Sequence, residues 1–214
     1  MIENLISSPL SFLASLLAIA IAISIHEFSH ALAADRLGDP TPRLQGRLTI
    51  NPLAHLDPIG TLMLILFRFG WGKPVQFDQF NLRNPRRDTM LISLAGPASN
   101  LITATIVAII FNFQFSIFNQ FPIFNYSILN FVTISVVLAV FNFVPIHPLD
   151  GGKILSGILP LSLAKEWEQI QAQFGTILLI MMVLPWGGTA PIFYLTGPVI
   201  QFILQLLLGG GKLI

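Results

Sequence analysis

Residues 5–34 read LISSPLSFLASLLAIAIAISIHEFSHALAA. Between Glu3 and Glu27 there is no charged side chain, a gap of 23 residues. About 20 consecutive apolar residues suffice for a helix to cross a hydrocarbon core. The run is too long for a secretory leader and lacks its basic n-region. Pro9 suits a first helical turn, and Gly38-Asp39-Pro40 breaks the pattern. The spacing predicts one retained membrane-spanning helix. Its C-terminal half carries His26-Glu27-Phe28-Ser29-His30, ionisable groups at a depth where they are costly and usually functional.

The remainder extends the same theme. Only 10% of the 214 residues are charged, against about 25% in a soluble domain. Two further charge-free gaps, between Asp88 and Asp150 and between Glu168 and Lys212, run 61 and 43 residues and have room for about two spans each. A soluble globular domain, a disordered chain and a β-barrel with its alternating strands are excluded. The net charge of +1 argues against a nucleic-acid partner. With no cysteine, any metal must take His, Asp or Glu.

Residues 89–111 and 128–146 read as the second and third spans, joined by an aromatic interfacial loop over 112–126. Residues 174–184 and 192–208 read as the last two, joined by the turn 185–191 (PWGGTAP). Residues 39–88 hold most of the basic side chains. Their one apolar run, 59–69, is about 17 Å long as a helix and predicts a re-entrant or interfacial segment, tolerated where protein covers its backbone. Residues 46–50 and 73–77 are predicted short strands. The expected fold is an all-α polytopic membrane protein with about five transmembrane helices, one re-entrant segment and short β pieces. It forms a single domain over 1–214, with a catalytic core at about 5–155 and C-terminal helices at about 172–209. Arg36, Arg43 and Arg47, then Arg83, Arg86 and Arg87, then Lys153 and Lys165, and finally Lys212 fall on one side if the N-terminus lies outside; basic loops mark the cytoplasmic side.

His26 and His30, at i and i+4, share one helical face, so both imidazoles can reach one Zn²⁺, with Glu27 beside them to take a proton from the attacking water. Asp35, nine residues beyond His26, lies roughly 13 Å further along the axis, which places the site beneath the membrane surface. A catalytic zinc takes three protein ligands, so a third must come from elsewhere. Asp150 closes the 61-residue gap within NFVPIHPLDGG, residues 142–152. It reads either as a turn or N-cap carboxylate or as that third ligand, and the two-histidine site favours the ligand. Pro145 and Pro148 disrupt helical hydrogen bonding there. Asn100 reads as a bridge between helices. His55 and Asp57 read as caps of the re-entrant run, with His55 alternatively lining the site.

The HExxH pair in one span with N-x-x-P-x-x-P-x-D-G in a later one resembles the site-2 protease family of intramembrane zinc metalloproteases. Residues 46–61 (GRLTINPLAHLDPIGT), 72–75 (GKPV), 81–87 (NLRNPRR) and 95–100 (AGPASN) resemble its compact branch, which lacks a PDZ or regulatory nucleotide-binding domain. The resemblance implies zinc on His26, His30 and Asp150, Glu27 as general base, and Asn142 holding substrate near the scissile bond. It implies transmembrane segments of other proteins as substrates and a multi-pass protein among the lipids of a bacterial or plastid-type membrane, with its site near the cytoplasmic side. His147 departs from the pattern, where a small residue or proline is expected, and reads either as an extra polar contact near the zinc or as a residue without a role there. A zinc- or proton-coupled transporter is the alternative of another class, but neither motif recurs as an inverted repeat would require. A catalytically dead scaffold would have no use for Glu27.

Overall fold

Local sequence sets the ends of the elements. In the computed structural model, which describes residues 8–67, 70–113, 122–185 and 187–209, Pro9 opens helix α1 (Pro9–Leu37). Gly38 closes it in the left-handed conformation at φ 112°, and the Asp39 N–H returns to Ala34 O at 3.0 Å, a glycine-dependent stop. Helices α2 (Thr41–Leu44) and α3 (Pro58–Phe67) follow. Helix α4 (Pro85–Phe113) is capped where the Asp88 carboxylate accepts the Asn84 N–H at 2.9 Å. Next come α5 (Pro122–Asn142), α6 (Asp150–Ile158), α7 (Leu161–Ile170), a π turn (Gln171–Gly175), α8 (Thr176–Val183) and α9 (Pro191–Leu208).

Helices α1, α4 and α5 pack against one another. Ala18 and Ala22 of α1, Ala104 and Ala108 of α4 and Val132, Val136 and Ala139 of α5 are buried. Small side chains let membrane helices approach closely where apolar burial supplies no driving force. Leu204 and Leu208 of α9 form one cluster with Ala104, Ala108, Val132 and Val136, while exposed Leu10, Leu17, Ile106 and Phe202 suit a lipid-facing surface.

Among the described residues four helices, α1, α4, α5 and α9, are long and apolar enough to cross a membrane, as an all-α polytopic membrane protein requires; three expectations of detail change. The run 174–184 is the end of a helix continuous over 161–183, whose first turns bear Lys165, Glu166 and Glu168. Its apolar tip α8, of eight residues, is about 12 Å long, short of the ~30 Å core. Residues 122–126, expected in a loop, form the first turn of α5; 114–121, Trp186 and Lys212 lie outside the described residues. Neither 46–50 nor 73–77 is a strand. Among the described residues, pairing is limited to an isolated antiparallel bridge between Leu56 and Gly72, because each segment spends its polar groups on side chains and turns. The short α3 agrees with the re-entrant reading.

One carboxylate ties the connecting segment together. Asp39 is fully buried and accepts from Thr41 N at 3.0 Å, Thr41 Oγ1 at 2.6 Å, Asp78 N at 2.7 Å and Asn81 Nδ2 at 2.8 Å. Burial opposes its charge, yet these donors hold the carboxyl below its ordinary value.

Candidate active site

His26 and His30 lie one turn apart on α1, both buried, with ring centroids 4.7 Å apart and edge to face. Asp150 arrives from the first turn of α6, 124 residues later. Its Oδ2 lies 3.1 Å from His26 Nε2 and 3.2 Å from His30 Nε2. One donor atom from each of the three residues falls within 4.8 Å of the others. The chain reverses between α5 and α6 through Pro145 and Pro148, and Gly151 makes the reversal possible. A Cβ there would lie 2.3 Å from Phe143 O. Gly96 of α4 does the same for the imidazoles, since a Cβ on it would come within 2.4 Å of His30 Nε2 and 2.7 Å of His26 Nε2.

The donor set fits a metal ion. His30 Nδ1 is 2.7 Å from Ile92 O. A carbonyl only accepts, so Nδ1 carries the proton. In the neutral ring Nε2 then turns a lone pair toward Asp150 Oδ2. Lone pairs facing each other at that distance need a positive charge between them. Two imidazole nitrogens and a carboxylate oxygen, with no thiolate, form a ligand set used by catalytic zinc, and the Ile92 carbonyl fixes the tautomer as second-layer partners of zinc ligands do.

Glu27 lines, together with His26, a pocket of about 170 Å³ bounded also by Trp71, Gly72, Leu138, Phe141, Asn142 and others. The Val75 N–H donates to Glu27 Oε2 at 2.8 Å. Val75 belongs to an extended segment laced to the preceding loop. Lys73 N donates to His55 O at 2.8 Å, and buried Arg47 donates to the Ala54 and Lys73 carbonyls. The extended piece therefore presents backbone to the carboxylate without pairing as a strand.

The other candidates separate. Asn142 lines the pocket, with Nδ2 donating to Leu138 O at 2.9 Å. His55 is not brought to it. Its ring is fully buried, with Nε2 2.7 Å from Thr49 O, and it braces the loop. Asp57 caps α3, accepting from Gly60 N at 2.7 Å. His147 is exposed, its N–H donating to Gln171 Oε1 at 2.6 Å. It lines a different cavity of about 560 Å³ with Arg86, Lys153 and Trp167. Arg47, Val75, Gly96 and Ile92 were missed by sequence reasoning. Two of the four act through backbone atoms, which leave no residue-type signal, and Gly96 was marked only by the stretch 95–100.

Residues 122–182 match the profile of peptidase family M50. The chain is 33% identical over 186 residues to a Bacillus subtilis (strain 168) protein named "Putative zinc metalloprotease YwhC", covering 84% of this chain and 85% of that one. A relative from Mycolicibacterium smegmatis, Rip2, carries the same description and is 31% identical over 157 residues, 68% of this chain and 60% of its own. The zinc metalloprotease MJ0392 of Methanocaldococcus jannaschii is 25% identical over 166 residues, 77% of this chain and 40% of its own. No solved structure matches the chain.

Proposed function

Because this chain belongs to peptidase family M50, the site-2 protease family of intramembrane zinc metalloproteases, we propose that His26, His30 and Asp150 hold its zinc and that Glu27 is its general base. The observation that carries this reading is the convergence of two Nε2 atoms and one carboxylate oxygen within 4.8 Å, with Glu27 lining a pocket beside His26. When bound, zinc supplies a Lewis acid for the scissile carbonyl and acidity for the attacking water. Glu27 takes the proton of that water and delivers it to the leaving amine nitrogen. The Val75 N–H engages one Glu27 oxygen and leaves the other to face the reactants. The wall formed by Ile92 and Gly96 sets the imidazoles before substrate arrives, so no reorganisation is needed at the reacting centre.

The substrates in this reading are apolar, membrane-spanning segments of other proteins. A groove of about 590 Å³ lined by Leu17, Ile23, Trp71, Leu138, Phe141 and Phe193 shares Ile23, Trp71, Leu138 and Phe141 with the pocket, so an apolar chain lying in it leads to Glu27. A helix has its backbone groups satisfied internally, so the substrate unwinds at the cleavage point. Asn142 at the pocket rim offers an amide to the backbone so exposed. The site faces the cytoplasmic side of a bacterial or plastid-type membrane. The support is that Arg36, Arg43, Arg47, Arg83, Arg86, Arg87, Lys153 and Lys165 all attach to the end of the bundle where α1 finishes, α4 starts and α6 begins. No observation favours transport: among the described residues the metal-competent side chains form one cluster, not a file along a path.

The test is Glu27→Gln in proteoliposomes with a single-span substrate. Zinc stays bound at parent stoichiometry and cleavage is abolished; the uncleaved partner then co-purifies and can be identified. Full cleavage by this variant refutes the assignment of the base.

A further inference from the structure

Helix α4 presents three positions at successive i+4 spacing to the imidazole pair. Ile92 offers its carbonyl to His30, Gly96 offers space, and Asn100 offers an amide. Asn100 is 1% exposed, and its Nδ2 is 3.4 Å from His26 Nδ1. Its Oδ1 is buried with no hydrogen-bond partner. A buried amide oxygen left unpaired is costly, and a primary amide turned over about its terminal bond exchanges oxygen for nitrogen in nearly the same envelope.

Resting on the zinc reading above, we propose that Asn100 is the positioning residue that holds His26 in the tautomer zinc requires. Ligation through Nε2 needs that nitrogen's lone pair, so the ring proton must be on Nδ1. Nδ1–H needs an acceptor, and Asn100 supplies one when its amide is turned so that Oδ1 replaces Nδ2 toward the ring. With the amide nitrogen toward Nδ1, Nδ1 accepts instead, and the Nε2 proton points at Asp150 Oδ2, 3.1 Å away. That is the metal-free pairing. Turning the amide over converts it to the metal-ready one, with Oδ1 accepting Nδ1–H and Nε2 free. His30 needs no such adaptor, because Ile92 O can only accept. The two imidazoles thus receive the same instruction from one helix, by a backbone carbonyl and a side-chain carbonyl eight residues apart. The stretch AGPASN acquires a purpose for its last residue beyond bridging α1 and α4.

The experiment measures zinc affinity by chelator competition, and the absorption of the cobalt-substituted protein, for parent, Asn100→Asp, Asn100→Leu and Asp150→Ala. Asp at 100 is a fixed acceptor, so affinity and cobalt spectrum stay at the parent's. Leu offers no acceptor, so affinity falls about 10–100-fold, the usual effect of losing such a partner, and the cobalt bands shift. A helix bridge alone predicts the opposite order, with Leu keeping zinc at the parent's affinity and Asp, a buried charge, losing it. Either of those results overturns the proposal. If Leu fails to fold, Asp alone decides, since a tenfold loss of zinc in that variant is incompatible with an acceptor role. Parent protein that binds no zinc, or binds it unchanged with Asp150→Ala, defeats the metal-site reading itself. Zinc that depends on Asp150 but is indifferent to Leu at 100 defeats only this inference.

Discussion

The candidate site is built from two walls of unlike construction, one around the imidazoles and one around Glu27. The metal wall is helical: α1 carries both imidazoles, and α4 packs Ile92, Gly96 and Asn100 against them with no loop between. The base wall is extended: Glu27 is met by one backbone N–H from Val75, in a segment secured by Arg47, His55 and the Leu56–Gly72 bridge rather than by a sheet. Helix α4 lacks one backbone bond at Pro97, yet its close packing along α1 and α5 resists displacement. An extended segment with unpaired groups can exchange partners, and an unwound substrate has such groups to offer. In the proposed reading the rigid wall holds the metal and the adaptable one admits the peptide.

The largest effect is expected on the metal wall. Gly96→Ala drives a Cβ to within 2.4 Å of His30 Nε2, so zinc retention and cleavage are both lost, as elemental analysis of the purified variant will report. An active, zinc-loaded variant would mean that α4 yields as readily as a loop. On the base wall, Val75→Pro deletes the donor to Glu27. A hydrogen bond to a charged group is worth about 1.5–3 kcal/mol, so cleavage falls roughly tenfold to a hundredfold with zinc content intact; simultaneous loss of zinc would deny that the walls are separable. Arg47→Met leaves two carbonyls without their donor, at about 1–3 kcal/mol, and is expected to lower thermal stability and slow cleavage by less than the proline variant, measured on the same substrate.

The smallest effect is expected at Asp39, in the connecting segment. Its carboxyl titrates lower folded than unfolded. The stabilisation is therefore complete above the unfolded value, about pH 3.9, and fades as pH falls through the folded one. Asp39→Asn, which stays neutral, is expected to melt lower than the parent at neutral pH, with the gap closing on acidification below about pH 4. A gap constant with pH would remove the charge from the explanation.

Much of the metal wall was legible because its signal is local or conspicuous by contrast. Two histidines one turn apart need only helical geometry, and Asp150 stands out as the first charge after 61 residues without one. Its partners on α4 are neutral, and their role depends on how α4 crosses α1, which no spacing within 95–100 encodes. The base wall was harder still. Residues 73–77 have strand-like composition, but a strand needs a neighbour, and here the neighbouring loop is held by an arginine side chain and turns. The half-span at 174–184 was overread because the apolar stretch was counted without the charged turns to which it is helically continuous.

The central claim is that one carboxylate and two imidazoles share a zinc ion beneath the membrane surface. X-ray absorption at the zinc edge of the purified protein, repeated on Asp150→Ala, tests it most directly. The account predicts two imidazole nitrogens at about 2.0–2.1 Å with oxygen completing the sphere, and loss or rearrangement of that sphere in the variant. A spectrum without histidine scattering, or one that the variant leaves unchanged, would contradict it.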